Sequence, residues 1–111
     1  MVDLAAVKDR IDAVVDGHAE ILLDASHRIH ERPELGFEEH RTAQLVCERL
    51  RALGIEHHPG VGRTGIVAVV RGRRDIAGRS VGLRADMDAL PMQEDNEFEH
   101  RSRYDGRMHG C

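Results

Sequence analysis

"TGIVAVVRG", residues 64–72, is the stretch that decides the fold, because it concentrates Val and Ile between glycines. β-Branched side chains of this kind suit an extended, half-buried strand. A second run of the same character, "RSVGLRAD" at 79–86, follows the polar, glycine-containing segment "RRDIAG" at 73–78. The pattern predicts that the two runs pair as an antiparallel hairpin. A short strand near residues 55–58 is expected to precede it.

The apolar side chains of the first thirty residues recur with a period different from that of a strand. Apolar side chains recur there at steps of three and four, which is the spacing of one helical face. One long helix is therefore predicted, ending near Arg32 because Pro33 disfavours helical geometry in the residue before it. Gly17 is a weak point, costing about 1 kcal/mol relative to Ala inside a helix. His18 falls in the stripe and is interpreted as a boundary histidine rather than a ligand.

A second amphipathic helix is predicted from about Phe37 to Leu53. Gly54 then suits the left-handed position that commonly ends a helix. Cys47 lies on the apolar face and is interpreted as a small core residue rather than a reactive thiol. Helices followed by strands and a polar tail predict an α/β fold.

Composition limits the classes of function. The chain has 111 residues, enough for one small domain, and a net charge of −4 with a pI near 6.0, so a basic nucleic-acid-binding surface is not expected. The first residues lack the apolar core of a signal peptide, and no run approaches a membrane span. Two cysteines without an export signal favour a reducing compartment. A cytoplasmic protein without nucleic-acid or membrane partners is therefore expected.

The glycines of "GVGRTG", 60–65, match a dinucleotide-binding pattern. That motif needs a helix directly after it, whose N-terminus meets the pyrophosphate. Here "IVAVV" follows, and a β-branched run predicts a strand. A tight turn into that strand is the better interpretation.

Two pairs of residues, each separated by one position, have side chains that could bind a metal or orient a ligand. Asp86 and Asp88, in "DMDALP", follow a predicted strand and could bind a metal or orient a ligand histidine. A turn capped by Pro91 explains them equally well. His109 and Cys111 offer an imidazole and a thiolate, which suit zinc, but a stable site needs three or four protein ligands.

Four stretches in order resemble one family, the di-metal amidohydrolases. They are "RIHERPELGFEEHRTAQLV" (28–46), "GRTGIVAVVRG" (62–72), "LRADMDALPMQE" (83–94) and "DGRMHGC" (105–111). The family includes hippurate hydrolases, N-acyl-amino-acid amidohydrolases and auxin-conjugate hydrolases, with aminoacylase and carboxypeptidase G as more distant relatives. The resemblance covers nearly the whole chain from about Ala25.

The resemblance implies roles for the four candidate residues. Cys111 matches a metal ligand of the family, and His109 matches a position beside the metals. By analogy with distant relatives, Asp88 is the catalytic-site carboxylate that orients a ligand, and Asp86 stands where those relatives carry a metal-binding histidine. Two divalent metal ions are implied for the complete enzyme, with zinc or manganese favoured over nickel or cobalt. No role follows for His30, Pro33 or Glu34.

The expected architecture is the N-terminal part of a helix-flanked, mixed-sheet catalytic domain: two helices, then about three strands including a hairpin. Residues 1–111 would form one incomplete domain without a second one, stopping inside the metal motif. The implied reaction is hydrolysis of the amide bond of small N-acyl amino acids, by an enzyme that could be a homodimer. The family's base glutamate and remaining ligands are missing, so the chain alone is expected to be inactive. The alternative is a genuine short, non-catalytic binding or dimerisation module.

Overall fold

The computed structural model describes residues 1–74 and 78–111. In this part of the chain there are three helices, α1 (Leu4–Gly17), α2 (Ala19–His30) and α3 (His40–Ala52). Two strands follow, β1 (Glu56–Val61) and β2 (Gly65–Val69). The expected α/β class is confirmed, although the structure has one more helix and fewer strands than the sequence predicts.

The prediction of one long N-terminal helix is wrong, because the helix breaks at His18. The backbone of His18 leaves helical geometry at φ −111° and ψ 8°. Its amide donates to the carbonyl of Val15 (3.0 Å), and its Nδ1 lies 2.7 Å from the carbonyl oxygen of Val14. Gly17 weakens the helix directly before this point. His18 is exposed, and its interpretation as a boundary histidine of the apolar stripe rather than a ligand stays a prediction.

The helix α3 begins three residues later than predicted. Phe37 adopts a left-handed φ of 67°, which excludes it from the helix. Gly54, with a φ of 67°, ends the helix as expected. The amide of Ile55 then donates to the carbonyl of Leu50 (2.9 Å), which closes the last turn. Cys47 is 8% exposed, as its place on the apolar face predicts.

The hairpin forms between β1 and β2, with Glu56 opposite Val69 and Val61 opposite Gly65. This confirms the two strands predicted near 55–58 and 64–72 and the tight turn in "GVGRTG". The predicted pairing with residues 79–86 is wrong, since no strand is assigned there. The short turn at 62–64 makes closure with β1 cheap in chain entropy. Residues 75–77 of the predicted 73–78 turn lie outside the described residues.

The folded centre lies where α3, the hairpin and the C-terminal segment meet. Thr64 donates its hydroxyl to the buried carboxylate of Glu39 (2.6 Å), which ties the hairpin to the start of α3. The C-terminal segment folds back through an antiparallel bridge between Leu90 and Met108. Neither α1 nor α2 contains a buried residue. No helix in the described part of the chain is long and apolar enough to span a membrane.

Candidate active site

The loop between α2 and α3 is the frame of the candidate site, and Glu34 organises it. The carboxylate of Glu34 accepts hydrogen bonds from the amide of Thr42 (2.6 Å), the hydroxyl of Thr42 (2.7 Å) and the amide of Arg41 (2.9 Å). These amides belong to the first turn of α3, where helices leave donors unpaired. Partial burial acts to raise the pKa of Glu34, but these hydrogen bonds prevail and lower it. Glu34 is therefore the capping residue of α3.

The same loop holds the C-terminal segment through its backbone. The carbonyl of Glu34 accepts from the amide of Ala89 (2.8 Å), directly after Asp88. The carbonyl of Glu31 accepts from the amide of Arg103 (2.8 Å), whose guanidinium also pairs with the Glu31 carboxylate (2.6 Å). Pro33, between these two anchors, is fully buried. Residues 31–34 thus fix two points of the segment that carries all four predicted site residues.

A buried carboxylate, Glu94, belongs to this segment. Glu94 is 1% exposed. It accepts from the amide of Ser102 (2.5 Å) and the side-chain amide of Asn96 (3.2 Å), and its Oε1 lies 2.8 Å from Nε2 of His30. Burial acts to raise the pKa of Glu94, but these partners outweigh it and lower the pKa to about 2. The carboxylate is therefore ionised at neutral pH.

A stack of aromatic rings lies beside the His30–Glu94 pair. The rings of His27 and His100 are stacked with their centroids 3.7 Å apart. The ring of Phe98 also stacks on His100, with the centroids 4.0 Å apart. His30 meets Phe98 edge-on at 5.6 Å. The pKa of His100 is lowered by loss of hydration and by the neighbouring His27 and His30. The neutral form of the His100 imidazole is therefore favoured.

His109, predicted to lie beside the metals, has an unsatisfied nitrogen. The residue is half-buried, and its Nε2 is buried without a hydrogen-bond partner among the described residues. Its ring lies 6.2 Å from that of His30. The pKa of His109 is lowered first by burial and then by His30, while Asp88 and Glu34 act in the opposite direction. A buried ring nitrogen without a partner is the kind of atom that an external group satisfies.

The other three candidates are accessible. Asp86 is exposed and paired with Arg84 (2.7 Å). Asp88 is exposed, yet near enough to His109 to act on its pKa. Cys111 is exposed with a free thiol. Asp86 and Asp88 also line an open groove of about 900 Å³ between α3, β2 and residues 81–88.

These residues do not make a complete metal site. Within residues 1–74 and 78–111, no group of three or more His, Cys, Asp or Glu is arranged to hold a metal ion. The orphaned nitrogen of His109 and the thiol of Cys111 fit at most one side of a two-metal centre. No catalytic step can therefore be derived through metals from this chain alone.

The comparisons with known proteins agree with the motif-based resemblance. No family model matches the sequence. The chain is 46% identical over 86 residues to hippurate hydrolase of Campylobacter jejuni, covering 77% of this chain and 22% of that protein. It is 39% identical over 104 residues to N-acyl-L-amino acid amidohydrolase of Geobacillus stearothermophilus, covering 94% of this chain and 28% of the relative.

One solved structure decides the family. It is Bacillus subtilis YXEP, a dinuclear metal binding peptidase from the M20 family, with a TM-score of 0.79 and 35% identity. The match covers 86% of this chain and 27% of that one. The chain belongs to the M20 family of peptidases and amidohydrolases. It spans about a quarter of the length of the M20 relatives described above.

Sequence reasoning missed the residues that organise this M20 segment: His30, Glu34, Glu94 and Ser102. A signal was present, because His30 and Glu34 lie in the motif "HERPE" and Glu94 ends "LPMQE". Both motifs belong to the stretches that carry the family resemblance. The sequence did not indicate that His30 of the first motif and Glu94 of the second would be hydrogen-bond partners.

Proposed function

We propose that this chain forms the N-terminal part of the catalytic domain of an amidohydrolase that cleaves the amide bond of N-acyl amino acids. One observation carries the proposal: the similarity to an N-acyl-L-amino acid amidohydrolase extends over 94% of the chain at 39% identity. The 46% identity to a hippurate hydrolase supports the same substrate class, since hippurate is itself an N-acyl amino acid.

The proposal assigns a role to each predicted site residue. Cys111 is a metal ligand, and the complete enzyme holds two divalent ions, with zinc or manganese favoured. The dinuclear centre of the B. subtilis relative supports that number. Asp88 orients a ligand at the catalytic centre, and Asp86 and His109 lie beside it. The unsatisfied Nε2 of His109 supports a polar neighbour supplied from outside the described residues.

The remaining partners follow from the same proposal. The substrate is a small N-acyl amino acid, the complete enzyme is a homodimer, and the protein works in the cytoplasm without nucleic-acid or membrane partners. The negative net charge supports the absence of nucleic-acid partners.

A chimera tests the proposed function. In hippurate hydrolase of Campylobacter jejuni, the matching N-terminal segment would be replaced by this chain, and hydrolysis of hippurate and bound metal would be measured. We expect a metal-loaded, active chimera. Cys111→Ala should abolish activity and lower the metal count, whereas Cys47→Ala, the matched control in a helix, should retain both. A folded chimera that keeps full metal and full rate with Cys111→Ala would refute the ligand assignment.

A second candidate, a non-catalytic binding or dimerisation module, is favoured by one observation. The helix α1 leaves its apolar face in solvent, with Ile11 57% and Val14 61% exposed. This module would self-associate through α1, and Ile11→Glu would restore a monomer in light scattering, with Asp9→Asn as the control. If the 111-residue chain shows no detectable hydrolysis with added metals, the result fits both candidates. Hydrolysis that is lost in Cys111→Ala would exclude the module.

A further inference from the structure

We infer that Glu94, paired with His30, is a positioning residue that fixes residues 102–111 and thereby the thiol of Cys111. The inference rests on the proposed function, because it gives the buried pair the task of holding a metal ligand in place. Nothing in the sequence similarity assigns this task to either residue.

The first step is the cost of burying Glu94. A carboxylate that is 1% exposed loses its hydration and must find donors within the protein. Glu94 has three: the amide of Ser102, His30 and Asn96. Two of them, His30 on α2 and Ser102 in the C-terminal segment, belong to distant parts of the chain. The carboxylate therefore joins the C-terminal segment to the helical layer, and removing its charge leaves several donors poorly satisfied.

The second step is the path from Glu94 to the loop. Ser102, whose amide binds Glu94, places its hydroxyl 2.8 Å from the carbonyl oxygen of Arg107 and 2.9 Å from that of Tyr104. The hydroxyl also accepts from the amide of Tyr104 (3.2 Å). Ser102 thus closes the turn from 102 to 107 at both ends. A shift of Glu94 would be transmitted through one residue to the backbone directly before Met108.

The third step is the end of the path. Met108 exchanges two backbone hydrogen bonds with Leu90, at 2.9 and 3.1 Å. Gln93, next to Glu94, accepts from the amide of Gly106 (2.7 Å). Beyond Met108 come only His109 and Gly110 before Cys111, and Cys111 itself is exposed. A ligand on such an irregular segment depends on its supporting contacts for its position.

The test uses two measurements: cobalt(II) titration of the chimera introduced under Proposed function, which supplies the remaining metal ligands, and hydrogen exchange of the 111-residue chain. Cobalt(II) titration, followed by the thiolate-to-cobalt absorption band, reports the metal affinity of the Cys111 thiol. Hydrogen exchange of the Met108 amide reports the position of the loop without any metal. Glu94→Gln removes the charge at nearly constant volume. Glu97→Gln is the matched control, since it removes an exposed carboxylate three residues away in the same segment.

We expect Glu94→Gln to weaken cobalt binding about ten- to a hundredfold, which is the usual effect of losing an outer partner of a metal ligand. Exchange of the Met108 amide should accelerate about tenfold or more, while Glu97→Gln, a substitution on the surface, stays within about twofold in both measurements. Unchanged affinity and exchange in Glu94→Gln would overturn the inference.

Two further variants keep the inference testable if Glu94→Gln does not fold. Ser102→Ala leaves the amide that binds Glu94 and removes only the hydroxyl that closes the turn. It should weaken cobalt binding and speed exchange, and Ser102→Thr should restore both. Unchanged cobalt binding and unchanged exchange in Ser102→Ala would count against the proposed link from Glu94 through Ser102 to the loop. A wild-type chimera without a thiolate band would refute the ligand role of Cys111 instead, and exchange would then decide the positioning role alone.

Discussion

The Nε2 of His30 lies 2.8 Å from the Oε1 of Glu94, although the two residues are 64 positions apart in the chain. This contact joins the end of α2 to the segment that carries Asp86, Asp88, His109 and Cys111. The motif around His30 is thus a structural frame for the candidate active site. Two contacts of this frame and two other features of the fold lead to four measurable consequences.

The capping role of Glu34 predicts a loss of stability in Glu34→Ala. Its carboxylate satisfies two amides and one hydroxyl at the start of α3. Loss of a helix cap typically lowers the free energy of unfolding by about 1 kcal/mol, and by up to about 2. Urea unfolding would measure the change. Glu48→Ala is the control, because Glu48 is exposed on α3 and, among the described residues, accepts a hydrogen bond only from Gln44 (2.9 Å). A loss above about 0.5 kcal/mol in this control would argue against a specific cap.

The low pKa of Glu94 predicts a particular pH dependence. The folded-state pKa is about 2, below the ordinary value of 4.5, so the unfolded chain takes up this proton first as the pH falls. The stabilisation is complete above pH 4.5 and is lost as the pH falls towards about 2. Urea midpoints measured from about pH 7 downwards should decline in this window for the wild type. The decline should be shallower in Glu94→Gln, and an equal slope in both proteins would contradict the assignment.

Two glycines are expected to respond in opposite directions to alanine. A Cβ at Gly65 would lie 2.5 Å from the carbonyl oxygen of Val61, so the hairpin backbone must move. We expect Gly65→Ala to destabilise the chain by about 1–3 kcal/mol. Gly17 has no atom within 4 Å of a Cβ and ends α1, so Gly17→Ala should stabilise by about 0.4–1 kcal/mol. Thermal melts of both variants would show the contrast, and equal shifts would contradict the described geometry.

The two cysteines should differ in accessibility to alkylation. Cys111 is exposed and Cys47 is 8% exposed. In the native chain, iodoacetamide should modify one thiol, which peptide mass spectrometry should locate at Cys111. In denaturant both should react. Cys47→Ala should cost about 1 kcal/mol or somewhat more, as expected for a small buried side chain. Rapid labelling of Cys47 under native conditions would show that α3 is not packed as described.

Local sequence patterns determined much of the fold. The β-branched run at 64–72 predicted β2, and the glycines before it predicted the turn. The apolar stripe predicted α3, with Gly54 at its end and Cys47 on its buried face. These features depend on residues within a few positions of one another, where side-chain period and backbone preference act directly. The order of four motifs also identified the family, which the comparisons confirm.

Competing local contacts and, above all, the tertiary structure decided the rest. Periodicity continued through Gly17 and His18, yet the helix breaks there, because the contact of His18 with the Val14 carbonyl provides an alternative to helical hydrogen bonding. The strand-like run at 79–86 does not pair with β2. The strand β1 pairs with β2 instead, and a shorter turn joins these two strands. The His30–Glu94 pair and the Glu34 cap gave no periodic signal. A buried carboxylate must be hydrogen-bonded by whichever donors lie near it in space. His30 and Glu94 are 64 positions apart, so they become neighbours only after the chain has folded.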